Sequence, residues 1–177
     1  MTTHYDKDGH EMDRDGLRSL VGKFDIVDAA ATAELDTFKI PNQLYALWQS
    51  LPGTPPHFSH FKPGVVDPAL LPNSVLMDVL DEGEDYKFRV YGTAHVTHFG
   101  ADLTGRTVSE VEKLNPASKV IRQVYDMVMV ERDAVFFVLD YLNQNDVIKR
   151  ATGVMLPLAD DNGKISRLYG AMDWFSV

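Results

Sequence analysis

The sequence predicts an α+β fold, with a five-stranded antiparallel sheet, helices on one face and a helical extension at the N-terminus. Three observations predict it. Residues 74–90 alternate apolar and polar side chains on either side of an acidic turn, as a strand hairpin does. Residues 134–175 hold three further strand-like stretches broken by polar turns. The sequence between these blocks is helix-forming, and nowhere do strands and helices alternate as a parallel sheet demands.

Taken in order, residues 1–16 carry five acids and two bases with little apolar content, the pattern of a solvated tail. Leu17, Leu20, Val21, Phe24, Ala31 and Leu35 then recur near helical spacing, which predicts an amphipathic helix, although Gly22, Ile26 and Val27 are poor helix formers. Residues 1–35 are therefore set apart as an extension to a domain over 36–177. Leu44, Leu47, Trp48 and Leu51 mark a helix that opens after Pro41 and is closed by Pro52-Gly53. Six prolines between Pro52 and Pro72 rule out a regular element there. Strands are expected to begin near Ser74 and Tyr86. Thr107 and Glu110 have capping-box spacing for a short helix bearing Val108, Val111 and Leu114. Asn115-Pro116 opens the next helix, with Val120, Val124, Met127 and Val128 on one face. The last strands are expected near Ala134, Val147 and Ile165, the final two joined by Asp160-Asp161-Asn162-Gly163, whose Asn-Gly suits a hairpin turn.

Composition narrows the function classes. The 177 residues are 45% hydrophobic and 24% charged, ordinary for one globular domain. A net charge of −9 repels nucleic acid and anionic lipid, so neither is expected as a partner. No apolar run approaches the roughly 20 residues that span a bilayer. The polar N-terminus resembles no secretory or transit signal, which makes the cytoplasm the expected location. Cysteine is absent, so disulfides, thiolate metal sites, a cysteine nucleophile and a flavin–cysteine adduct are excluded.

Several segments, taken together and in this order, resemble the PAS superfamily. They are Leu44-Tyr45-Ala46-Leu47-Trp48, Asp67-Pro68 with Leu71-Pro72, Phe88-Arg89-Val90-Tyr91-Gly92-Thr93, the stretch Gly100 to Arg106, Met155-Leu156-Pro157-Leu158, and Asp160 to Gly163. The resemblance runs from Leu44 to Trp174 and is greatest to short bacterial PAS-like proteins that stand alone without an effector domain. It implies a sheet in the order 2-1-5-4-3, helices enclosing a pocket that binds a small ligand in many relatives, and output through the outer sheet face or flanking helices. The cofactor is left unknown. No cysteine can react with flavin or carry a coumaroyl group, and the helix from Pro116 to Glu131 lacks the histidine of a proximal haem ligand.

Candidate catalytic and metal-binding groups are sparse. His95 with His98, and His57 with His60, have the i, i+3 spacing of metal ligands, but no third ligand comes after either pair, so no metal site is expected. No serine sits in a G-x-S-x-G elbow and no glycines form a phosphate loop. Asp140 and Asp173 interrupt apolar strands, yet parity places them on the outer face without a nucleophile–base pairing, so no enzyme is expected. The same parity gathers Val90, Phe137, Leu139, Met172 and Trp174 on the inner face, under Val124, Met127 and Val128 from the helix. The resemblance places His95, Arg122 and Tyr125 near them as polar groups for a ligand. Leu76, Leu80, Phe136, Val138, Tyr169 and Phe175 fall on the outer face, too apolar to stand in water. Leu17, Leu20, Val21 and Phe24 are the expected cover for that face, within the chain or across a homodimer. The function expected is a sensory domain for a small molecule or a signalling protein. A ligand-free interaction module and a small-molecule enzyme are the alternatives.

Overall fold

The computed structural model describes residues 4–5, 11–12, 20–62, 64–143, 145 and 147–177. Strands β1 (His4–Tyr5) and β2 (Glu11–Met12) form a separate two-stranded ladder. The main sheet has six strands: β3 (Leu20–Val27), β4 (Ser74–Leu80), β5 (Asp85–Tyr91), β6 (Val135–Leu142), β7 (Ile148–Ala159) and β8 (Ile165–Ser176). Their order is β3-β6-β7-β8-β4-β5, and every pairing is antiparallel. Counting only the five strands expected from the sequence, β5-β4-β8-β7-β6 reads 2-1-5-4-3. That is the order the PAS resemblance implies, and the fold is PAS-like.

The sixth strand corrects the N-terminal expectation. Leu20–Val27 is extended and pairs with β6, setting Phe24 opposite Leu139 and Ile26 opposite Phe137. The residues that disfavoured a helix, Gly22, Ile26 and Val27, include two β-branched side chains that are at home in a strand. Pairing also covers an edge of β6 that would otherwise offer a row of unpaired amides and carbonyls. Helical structure in this region is confined to α1 (Ala29–Thr32), capped by Asp28, whose carboxylate accepts from the Ala30 amide at 2.7 Å. Leu17 lies outside the described residues.

Helices pack on both faces of the sheet, not one. The outer face is covered by α2 (Lys39–Ser50) and by the 3₁₀ turns and proline-rich chain on either side of it. Phe38, Leu44, Trp48, Phe61 and Leu70 bury Phe136, Leu156 and Tyr169 there. Tyr45 meets Phe136 edge-on at 5.2 Å, and Phe61 lies 5.0 Å from Tyr169. Side-chain hydrogen bonds to the backbone help fasten this layer, beside the Ala159 amide's bond to the Pro56 carbonyl at 2.8 Å. The Trp48 indole donates to the Pro157 carbonyl at 2.9 Å, and the Thr152 hydroxyl donates to the Thr37 carbonyl. The cover is therefore residues 36–70 of the same chain, where residues 17–35 or a second subunit were expected. Phe136 and Tyr169 are buried inside the chain by it, and Val138 is half-buried against the same cluster. The apolar outer face no longer calls for a dimer.

The inner face is roofed by α3 (Thr93–Phe99), α4 (Val108–Leu114) and α5 (Lys119–Glu131). Local chemistry sets their ends. Gly100 closes α3 in the left-handed region at φ 85°, and Thr107 with Glu110 forms the reciprocal capping box of α4. Asn115 caps the 3₁₀ turn Pro116–Ser118 that leads into α5. Arg122 then ties roof to sheet, donating to Glu112 of α4 at 2.5 Å and to Asp85 at the start of β5 at 3.2 Å. Val124 and Val128 of α5 are fully buried in the same core cluster as Leu139, Met155 and Leu168 of the sheet.

Candidate functional site

Between the inner sheet face and α3–α5 lies a cavity of about 70 Å³. Two of its floor residues, Phe137 and Met155, lie across glycines of the neighbouring strands. A side chain on Gly153 would meet the Phe137 ring at 2.3 Å, and one on Gly170 would meet the Met155 methyl at 2.8 Å. The ring and the thioether thus occupy the space that side chains at these two positions would take. Val75, Phe88, Leu139 and Met172 complete the floor, and Phe99, Val108, Val111 and Ile121 descend from the helices.

Few polar groups reach this space, and some are already engaged. Asn115 accepts from the Ala117 amide at 3.1 Å, and the Ser118 hydroxyl donates to the Asn115 carbonyl at 2.7 Å. The Tyr141 hydroxyl lies 3.4 Å from His98 Nδ1. His95 is 1% exposed, and its Nε2 lies 2.8 Å from the Asn73 carbonyl. A carbonyl can only accept, so Nε2 carries the ring proton and Nδ1 is a bare acceptor. Burial lowers the His95 pKa to about 4, which keeps the ring neutral at neutral pH. No donor among the described residues serves Nδ1. The Tyr91 and Tyr125 hydroxyls likewise make no hydrogen bond among the described residues. Burial raises the pKa of both, so each remains a protonated donor.

A continuous set of rings links the cavity to the end of β8. The Tyr91 ring lies 5.0 Å from His95, and Trp174 meets His95 edge-on at 4.9 Å. Trp174 also stacks on His98 at 4.3 Å and 9°. Burial lowers the His98 pKa, as does the Lys149 charge to a smaller extent.

Of the expected pocket residues, His95, Tyr125, Phe137, Leu139 and Met172 line the cavity. Val124 and Val128 are fully buried in the core but do not line it, and Trp174 stands one ring further out, half-buried. Three residues lie elsewhere. Arg122 is held by its two carboxylates, and Met127 points outward on α5, 38% exposed. Val90 is 48% exposed on the outer face, because the register of β4 and β5 shifts between Leu76 and Met77. The extra residue, Arg89, reverses the parity of the rest of the strand, sending Val90 out and Tyr91 in. Tyr91 was missed for that reason, while Phe88, before the bulge, keeps the inward parity the alternation gives it. Met155 was missed because β7 is buried on both faces and its apolar run shows no alternation.

The other candidates take on structural roles. Asp140 holds Arg150 through two hydrogen bonds of 2.8 and 2.9 Å. His57 caps a 3₁₀ turn: its Nδ1 accepts from the Ser59 amide at 3.2 Å and lies 2.7 Å from the Ser59 hydroxyl. His57 Nε2 is 2.9 Å from Asp161, out of line for a hydrogen bond and beside a carboxylate that is 93% exposed. Water screens such a pair, so it does not make Ser59 a nucleophile. Among the described residues, no three His, Asp or Glu side chains are grouped to hold a metal, and no helix is long and apolar enough to cross a membrane.

No protein-family model and no curated protein matches the chain. Among solved structures it is similar to an RNA-binding light-oxygen-voltage receptor, at 17% identity and TM-score 0.45, over 70% of this chain and 36% of that one. It is also similar to a variant of Vivid, at 15% identity and TM-score 0.47, over 79% of this chain and 93% of that one. A light-oxygen-voltage domain studied with a flavin analogue matches at 16% identity and TM-score 0.42, over 59% and 77%. The chain spans little more than a third of the length of the RNA-binding receptor. The PAS-like assignment rests on the strand order and the antiparallel pairings.

Proposed function

Starting from a PAS-like domain, we propose that this chain is a sensory module whose signal is the occupancy of its interior cavity by a small molecule. The observation that carries the proposal is polar capacity left unsatisfied inside an apolar space. His95, Tyr91 and Tyr125 line the cavity, and neither His95 Nδ1 nor the two tyrosine hydroxyls has a hydrogen-bond partner among the described residues, so a polar ligand group has partners to take up there. Output would leave through a surface contact. With the outer sheet face occupied by α2, the free side of α5 offers a surface for this, where Val130 is 79% exposed and Met127 38%.

A second reading is favoured by one observation. A cavity of about 70 Å³ is small beside the roughly 300–1,000 Å³ of ordinary ligand sites, as in an interaction module with a filled interior. Native mass spectrometry of gently purified protein separates the two, with Val111→Phe as the filled-cavity control. The sensory reading expects an added small mass on the wild type and none on the variant. Bare protein in both, or the same added mass in both, contradicts it. The same spectra report the oligomeric state.

A further inference from the structure

Resting on that reading, we infer that the cavity selects small uncharged hydroxyl compounds, an apolar body of at most one ring carrying an O–H group, over both hydrocarbons and anions. The polar atoms define the headgroup. His95 Nδ1 can only accept, so its partner must be a donor. The Tyr91 and Tyr125 hydroxyls are free to donate, and the Tyr91 ring lies 5.0 Å from His95. A ligand hydroxyl meets both demands at once, giving its hydrogen to His95 Nδ1 and taking one from a tyrosine on its oxygen. A ketone or ether leaves Nδ1 unpaired, and a hydrocarbon leaves all three groups unpaired.

The walls define the body. Phe137, Met155, Met172 and Leu139 offer only apolar surface. A carboxylate would enter without a cation to pair it, since Arg122 is already held by Glu112 and Asp85. Burying an unpaired ion in such surroundings is disfavoured. Size limits the rest. The cavity is about half the 150 Å³ that accommodates benzene in an engineered apolar site, so a single ring needs the methionines to shift. Met155 and Met172 can do so, because unbranched thioethers repack readily.

The test is methyl NMR of the full chain labelled at methionine, titrated separately with phenol, toluene and benzoate. Phenol should move the Met155 and Met172 resonances and bind about five- to tenfold more tightly than toluene, the effect of one net hydrogen bond. Benzoate should bind more weakly than either. A Tyr91→Phe/Tyr125→Phe double variant removes only hydroxyls that hold no partner among the described residues, so it should keep the wild-type amide spectrum. It should lose the phenol preference and keep the toluene affinity. If its fold changes, the single variants Tyr91→Phe and Tyr125→Phe are titrated in its place, and at least one of them should lose the phenol preference. Toluene or benzoate binding as tightly as phenol overturns the inference and leaves the sensory reading intact. Silence from all three probes, with the cavity holding water alone, also overturns it; the native mass spectra then decide separately whether the cavity takes a ligand at all.

Discussion

Acidification should destabilise this protein through His95. The ring is 1% exposed, with its one proton donated to the Asn73 carbonyl and its second nitrogen among apolar side chains. Charging it in place is costly, and the pKa falls from 6.5 to about 4 with burial as the largest cause. Above pH 6.5 both folded and unfolded states hold the ring neutral, so the stability from this group is fully present. Between about pH 6.5 and 4 the unfolded chain takes up a proton that the folded chain refuses, and stability falls. Below about pH 4 both states are protonated and the loss levels off. A difference of about 2.5 pH units at 1.36 kcal/mol per unit gives a total of about 3 kcal/mol. His98, also lowered, adds a loss of the same sign. Asp85 and Asp102 are lowered too, but their contribution is lost only as pH falls below the unfolded carboxylate value of 3.8. Urea unfolding of wild type and His95→Gln at about pH 7, 5.5 and 4.5 isolates the His95 contribution, because His98 is common to both. The wild type should lose about 2–3 kcal/mol more than the variant over that range. Parallel pH profiles would refute this assignment of the His95 proton.

Three further expectations concern stability. Gly153→Ala drives a methyl into the Phe137 ring and should cost about 1–3 kcal/mol, read as a lower urea midpoint at unchanged slope. Arg122→Ala leaves Asp85 and Glu112 half-buried without their cation, and about 2 kcal/mol of destabilisation is expected, with the largest rise in amide exchange in α4. Leu44→Ala empties a fully buried site under α2 and should cost about 2–5 kcal/mol, together with new dye-binding apolar surface if α2 detaches from the outer face.

The sheet was legible because its strands carry their own punctuation. Alternation over Ser74–Phe88 and the Asp160–Gly163 turn are local signals, and both survive in the structure. So do the Thr107 capping box and the Pro41-led helix, whose signals span a single turn. What sequence could not carry was long-range. Residues 20–27 fit either period, and the decision fell to the free edge of β6, more than a hundred residues away. The cover of the outer face was sought in the nearest amphipathic stripe, but Phe38, Trp48 and Phe61 supply it from a stretch that ends in prolines without periodicity. Within the cavity, parity placed Phe137, Leu139 and Met172 correctly. It failed at Val90, where one bulged residue inverts the count. Met155 on Gly170, and Phe137 on Gly153, are cross-strand relations that no single segment records.

If occupancy of the cavity is the signal, filling it must change the protein beyond the cavity. Hydrogen exchange of the full chain, free and saturated with phenol, measures this directly. His95 and Phe99 of α3 line the cavity while His98 of the same helix stacks on Trp174. Amides of α3, α4 and α5 and the end of β8 around Trp174 should gain protection on loading, while α2 on the opposite face keeps its free-state rates. Identical exchange throughout in the two states, or protection confined to α2, would contradict a sensory role for the cavity.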